Sequence, residues 1–435
     1  MTAAPLRTGR RTILGGPAAF AVLAGSITGC APGPHDPGAG AQRPGGPVFS
    51  ADGARAADLV HDGGPQPVAD RATWFRTRHA VDGFSRADEI LMSAPIRASR
   101  VASPWRRPRF EPAITYDGAA AAGGAGWFGL DAYLERNPVT SLAISVGDEL
   151  LVERYRYGRL DTHRFTSFSM AKTVVAILVG IAVAEGRIAS IEDPAERYVR
   201  GLAGSEYGRT PIRHLLTMSS GVAFRETYDG ADDIALLSRA TVGGAGPGGA
   251  DAVRRFDRRE AEPGARWSYA SAETYVLALV LSGALAEPVV EFATTRLWQP
   301  MGAEADASWL VDAGGRAVGY MGLNAVARDY ARLGRMLAEG GRAGGQQIVP
   351  PDWLAEMTRA HFSPRSTRGY FGYGFQTWIF PDGDGSFALQ GVRGQSIFVD
   401  PRRRLVMAQT AVRPLSRDPG AADSVALWRG LRARL

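Results

Sequence analysis

From Met170 to Ala184 the chain is apolar around its whole circumference, and Lys172 and Thr173 are the only polar side chains in the run. So uniform a segment leaves no polar face for solvent, which predicts a helix buried inside a folded domain. Gly186 is placed to end it. Ser169 then falls at the N-terminus of a core helix, and the chain must fold around that helix.

Lys172 is the only lysine among 435 residues, against 49 arginines. Arginine has taken every solvated cationic role, so the remaining lysine is expected to do what a guanidinium cannot, which is to lose a proton. Desolvation lowers an ammonium pKa towards neutrality. Positions i and i+3 of a helix share a face, so Lys172 can reach the Ser169 hydroxyl. Free N–H groups and the helix dipole at that end would stabilise negative charge on a substrate oxygen. An isolated Ser-x-x-Lys is a weak signal, since a serine N-cap before a chance lysine gives the same four residues.

The composition, 45% hydrophobic and 22% charged, is that of a soluble globular enzyme. The formal charge of +6 includes Arg7, Arg10 and Arg11 of an N-terminal leader, and falls to +3 without them. No basic cluster with interleaved aromatics points to nucleic acid. Residues 1–30 read as an export signal: a basic start, an apolar stretch, then Ile27-Thr28-Gly29-Cys30, which resembles a lipobox whose cysteine is lipidated. The expected location is the bacterial cell envelope, lipid-anchored at Cys30 and facing outside the cytoplasm. Residues 31–50, rich in Gly and Pro, read as a flexible tether. Residues 51–126 form a lead-in that the sequence leaves open, either wrapped on the main domain or a loose arm. The main domain is expected over 127–435.

Strand-like segments at 139–146 and 149–155 flank Gly147-Asp148, a hairpin signal. Further strands are expected at 373–380, 386–389, 395–399 and 405–412. Between them 271–297 and 323–339 read as helical. Strands at both ends with helices between predict an α/β (α+β) domain, its antiparallel sheet flanked by helices and interrupted by a mostly helical insertion.

Four motifs in order carry a resemblance: Ser169-Met170-Ala171-Lys172, His214 to Gly221, Tyr269-Ala270-Ser271, and Gly391-Val392-Arg393-Gly394-Gln395. The chain resembles the class C β-lactamase and penicillin-binding-protein superfamily of serine hydrolases. Segments 216–228, 297–302 and 322–334 most resemble the 6-aminohexanoate-oligomer hydrolase branch. The resemblance implies that Ser169 attacks a carbonyl, Lys172 takes its proton, and Tyr269 relays that proton to the leaving group. It implies neither cofactor nor metal. Ser271, Arg393, Gly394, Gln395 and Tyr228 fall at oxyanion or substrate-binding positions, with an N–H near Gln395 as the second oxyanion donor and Tyr228 on a loop over the substrate. Ser271 stands where many relatives carry asparagine. Val392-Arg393-Gly394 replaces the relatives' Lys-Thr-Gly or His-Thr-Gly, and alternation along a strand would turn Arg393 to the opposite face.

The implied substrate is a small-molecule amide or ester. A cell-wall D,D-peptidase acting on peptidoglycan fragments, a weak β-lactamase, or a lipoprotein that forms an acyl adduct without turnover would need the same pocket. A Ser-His-Asp triad is disfavoured because none of His35, His61, His79, His163, His214 and His361 has a nucleophile-elbow context.

Overall fold

The computed structural model describes residues 66–118, 126–244, 246–417 and 420–435. The leader, Cys30 and the tether lie outside the described residues.

Seven antiparallel strands form the main sheet, in the spatial order Gly372–Tyr373, Trp378–Ile379, Phe387–Gly391, Gln395–Asp400, Leu405–Ala411, Val139–Val146 and Glu149–Tyr155. Strands from the two ends of the domain meet where Leu405–Ala411 pairs with Val139–Val146. Both faces are covered, and the side-chain period of two divides each strand between two cores. Ile397, Val399, Val406 and Ala408 enter the larger core, with the helix Met170–Ala184 and the helix Ala327–Ala338. Phe398, Leu405 and Met407 enter the other, under Leu130–Arg136 and the C-terminal helix Ala421–Arg434.

The helix that follows Ser169 is buried from Met170 through Ala182. Each of its fully enclosed Val, Ile and Leu side chains contributes about 1.5–3 kcal/mol relative to an exposed position. Gly186, at φ +70°, follows the last turn in the left-handed conformation that its lack of a Cβ makes easy.

Three sequence expectations need correction. Residues 373–380 are not one strand but two short ones facing each other, because the chain turns through Gln376 at φ +50°. That turn docks the sheet edge onto the helices: Gln376 N–H donates to Leu216 O (2.8 Å), its Nε2 to Leu215 O (2.7 Å), and Thr173 Oγ1 donates to Gln376 O (2.6 Å). The helix expected over 323–339 begins at Ala327, after a strand Leu323–Ala325. The helix from Ser271 stops at Ala284, and Pro288 precedes the next, Val289–Ala293. Proline fixes φ and has no N–H to donate, so the helical pattern cannot run through it.

Leu323–Ala325 belongs to a second antiparallel sheet, ordered Ser93–Ile96, Ala307–Leu310, Leu323–Ala325 and Phe165–Thr166. Two features place Ser169 from it. Phe165–Thr166 runs straight into the turn before Ser169, and Ser167 N–H donates to Leu323 O (2.7 Å). Ser93–Ile96 comes from the lead-in, which is therefore wrapped on the main domain over residues 66–118.

Candidate active site

Phe168 carries the strain of the turn before Ser169, with φ +42° in a residue that has a Cβ. Its ring is caged by the lead-in: Phe84 lies 4.8 Å away edge-on, Phe75 at 5.7 Å, and Trp74 stacks at 6.2 Å. The next residue, Ser169, occupies the N-cap position but makes no side-chain cap. Its hydroxyl is held by the catalytic candidates instead.

Lys172 Nζ lies 2.9 Å from Ser169 Oγ, 3.0 Å from Ser271 Oγ and 2.9 Å from Tyr320 O. An ammonium has three donors, and here three acceptors meet them. The amine is enclosed, with the Tyr269 and Tyr320 ring centroids 5.1 and 5.5 Å away. Burial pushes its pKa down to about 8, opposed in part by the negative charge of Glu226. At that value a substantial fraction is neutral near physiological pH, and a neutral amine can accept the Ser169 proton.

Tyr269 lies beside Lys172, its ring centroid 5.1 Å from Nζ, and its own pKa is raised, chiefly by burial and then by Glu226. It is a neutral phenol at rest, able to pass a proton but not to start the reaction as a phenolate. Ser271 opens the helix Ser271–Ala284 and connects Lys172 to Glu226: its N–H donates to Glu226 Oε2 (2.7 Å) and its hydroxyl to Oε1 (2.9 Å). Tyr228, at φ +64°, donates its hydroxyl to the same Oε1 (2.6 Å). Glu226 is only 7% exposed. No sequence pattern singled it out, because an acidic residue in a polar loop reads as solvated until the fold folds the loop inward.

The late motif is placed differently from its expected geometry. Val392–Gly394 is a tight turn between strands, with Arg393 at φ +64° and Gly394 at φ +93°. Strand alternation therefore does not apply to Arg393, which lines the cavity beside Ser169 and lies 4.7 Å over the Phe75 ring. Gly394 and Gln395 are not in the cavity wall. Gln395 pairs with Gly391 in the sheet, and its side chain braces the turn from behind, Nε2 donating to Ala411 O (2.7 Å) and Arg393 O (3.2 Å). Gln409 Nε2 donates to Gly394 O (3.0 Å), and the Arg413 N–H donates to Arg393 O (3.1 Å). The residues of this motif that line the cavity with Ser169 are Val392 and Arg393, three and two places before Gln395.

In front of Ser169 lies a cavity of about 610 Å³ walled by the loop at Glu226 and Tyr228, the helix Asp233–Ala240, the Val392–Gly394 turn, residues 414–417, and Trp74 and Phe75 of the lead-in. None of His79, His163, His214 and His361 lines it; His35 and His61 lie outside the described residues. His214 packs instead against Gly264 and Ser219, with burial lowering its pKa.

The Beta-lactamase family model matches residues 130–428. The chain belongs to the Beta-lactamase family. It is a serine hydrolase, and within the family it is similar to the 6-aminohexanoate-dimer hydrolase of Paenarthrobacter ureafaciens, 28% identical over 381 residues that cover 85% of this chain and 92% of the relative. Among solved structures, a Bacillus anthracis protein provisionally named a 6-aminohexanoate-dimer hydrolase superposes with TM-score 0.74 at 20% identity, covering 83% of this chain and 96% of that one. A D-stereospecific amidohydrolase from Streptomyces gives 0.51 at 18% identity, covering 67% and 94%. These likenesses establish the β-lactamase-like fold.

The charge state of the site is set by its buried groups, which makes Glu226 testable. Glu226→Gln removes the negative charge that favours the Lys172 ammonium, so the lysine pKa must fall below about 8. The acid limb of kcat/KM for a p-nitrophenyl ester is expected to move to lower pH by roughly one unit. Glutamine can keep the Ser271 N–H bond while its NH₂ turns to the two hydroxyls, so the fold should survive. An acid limb that stays in place or rises would remove Glu226 from the electrostatics of Lys172.

Proposed function

We propose that the protein is an exported hydrolase that cleaves a small-molecule amide or ester through an acyl-enzyme on Ser169, without a metal. The observation that carries this is the hydrogen-bonded set Ser169, Lys172 and Ser271 at the N-terminus of a buried helix, with Tyr269 beside Lys172 and the lysine pKa lowered to about 8.

The neutral Lys172 amine accepts the Ser169 proton as Oγ bonds to the substrate carbonyl carbon. The carbonyl oxygen becomes an oxyanion. The Ser169 N–H at the helix N-terminus and the Val392 N–H at the start of the turn are its donors, a position supported by the packing of Gly391 against the nucleophile turn. The bond to the leaving nitrogen or oxygen then breaks, the leaving group takes a proton from the Tyr269 hydroxyl, and the Lys172 ammonium, which carries the proton taken from Ser169, returns one to the phenolate. Water attacks the ester, gives up its proton to Lys172, and the acid leaves as Ser169 recovers its hydrogen. Ser271 and Glu226 hold the lysine for both halves. The basic leader and the Ile27 to Cys30 sequence support export and lipid anchoring.

The relative's name supports a linear amide as the bond class. Intact-mass measurements after exposure to a p-nitrophenyl ester, a 6-aminohexanoate dimer and a penicillin test the reading, with Ser169→Ala as control. A transient adduct on Ser169 with release of product from the ester or amide is the expected result. A persistent penicillin adduct without turnover would move the protein to the cell-wall or sensor class, and an adduct surviving Ser169→Ala would overturn the nucleophile.

A further inference from the structure

We propose that the acyl half of the substrate ends in a carboxylate, received by Arg239 and Arg417 at the mouth of the cavity; this rests on the Ser169 acyl-enzyme reading. Three observations lead there.

The first concerns which half of the substrate the cavity takes. Tyr269 gives the leaving group its proton, yet it does not line the cavity, whereas Ser169, Ser271 and Val392 do. The leaving group therefore sits on the Tyr269 side, and the cavity takes the acyl chain.

The second concerns the wall. Trp74, Phe75, Ile234, Val242, Met321 and Leu415 make most of it apolar. Such a surface favours a hydrocarbon spacer between the scissile carbonyl and whatever polar group lies beyond.

The third is an account of charges. The cavity has two carboxylates, and the protein itself occupies both. Glu226 accepts from Ser271 N–H, Ser271 Oγ and Tyr228 OH. Asp232 caps the helix Asp233–Ala240, accepting from Ala235 N–H (3.2 Å), and takes the N–H groups of Thr227 (2.7 Å) and Tyr228 (2.6 Å). The cationic groups are differently placed. Arg239 and Arg417 are exposed at the cavity rim, and among the described residues neither is in an ion pair. Arg239 donates once, at 3.4 Å, to Gly230 O. Arg417 is aimed by a bond from Nη2 to Glu226 O (2.9 Å) and by the Tyr228 ring beneath it (5.7 Å), leaving the other edge of its guanidinium for a ligand. Arg393, 9% exposed in the same wall, adds positive potential. A terminal ammonium would meet three cations and two carboxylates whose oxygens are already engaged. A terminal carboxylate would meet guanidinium forks suited to it. The substrate class is thus a monoamide or monoester of a straight-chain dicarboxylic acid, and the acid product carries two carboxylates.

Three p-nitrophenyl esters with the same leaving group test this: the adipate monoester, the hexanoate and the 6-aminohexanoate. In kcat/KM the adipate is expected to exceed the 6-aminohexanoate at least tenfold, with the hexanoate between, and the spread should shrink in about 1 M salt because the rim arginines are solvent-screened. The double variant Arg239→Glu, Arg417→Glu is expected to reverse the order. Each ratio is read within one preparation, so a partly folded variant still reports; if the variant does not fold, the ratio and its salt dependence in the unaltered protein decide. p-Nitrophenyl acetate has no chain to reach the arginines. Failure to turn it over, with no adduct on Ser169, would sink the acyl-enzyme reading. Turnover of the acetate with an adipate to 6-aminohexanoate ratio within twofold of one would sink the carboxylate assignment alone.

Discussion

Lys172→Arg is expected to lower kcat on any acyl substrate by about 10³-fold or more, in line with the upper range for general-base catalysis. A guanidinium can fill the place of the ammonium but cannot accept the Ser169 proton. The enclosure of Nζ by three acceptors and two tyrosine rings adds a second effect. Arginine is larger than the space, and overpacking of this kind costs about 1–3 kcal/mol. Lys172→Met removes the base without the extra volume, so calorimetry on both variants separates lost chemistry from lost fold. The unaltered enzyme supplies the matching pH test. Lys172 is protonated below about 8 and neutral above it, so kcat/KM should rise with pH through that value. Activity within tenfold of the parent in both variants, or a profile that falls through pH 8, would remove Lys172 from the role of base.

Gly391→Ala is expected to lower kcat by about 10²-fold, the scale for displacing a reacting group by an ångström. Gly391 has φ −128° and ψ 153°, an extended conformation open to any residue, so alanine meets no backbone penalty. The obstacle is proximity. A Cβ there would lie 2.4 Å from Ser167 O and 3.1 Å from Phe168 Cβ, so the Val392–Gly394 turn must withdraw from the nucleophile. Loss of an oxyanion donor lowers kcat more than it raises KM, and steady-state kinetics with a p-nitrophenyl ester reads the split. An unchanged kcat with an ordinary melting temperature would show that the turn does not serve the oxyanion.

The part of the site that was legible in the sequence is the part that is local. Ser169 and Lys172 are one helical turn apart, and the apolar run after them made both the helix and its burial readable. Ser271 follows Tyr269 closely and was found with it. Glu226 was not, because its role depends on a loop brought under Lys172 from 54 residues away, and nothing in Arg225-Glu226-Thr227 marks an inward carboxylate. The same limit explains the late motif. Gln395 was read as a residue facing substrate, but its side chain is spent on Ala411 and Arg393, since the unpaired backbone groups of a strained turn need partners more than the cavity does. Helix 323–339 and strand 373–380 were each read too long, as propensity ran past points where tertiary contacts turn the chain.

The aromatic cage around Phe168 alters what should be counted as one enzyme. The family match begins at residue 130, yet the strained backbone beside the nucleophile is held by Trp74, Phe75 and Phe84, nearly a hundred positions earlier. Trp74 and Phe75 also wall the cavity in front of Ser169. A lineage that exchanged or trimmed its lead-in would thus change its substrate range and its nucleophile geometry in one step, leaving the recognisable domain untouched. Substrate range here is expected to depend on an N-terminal arm that lies outside the family match.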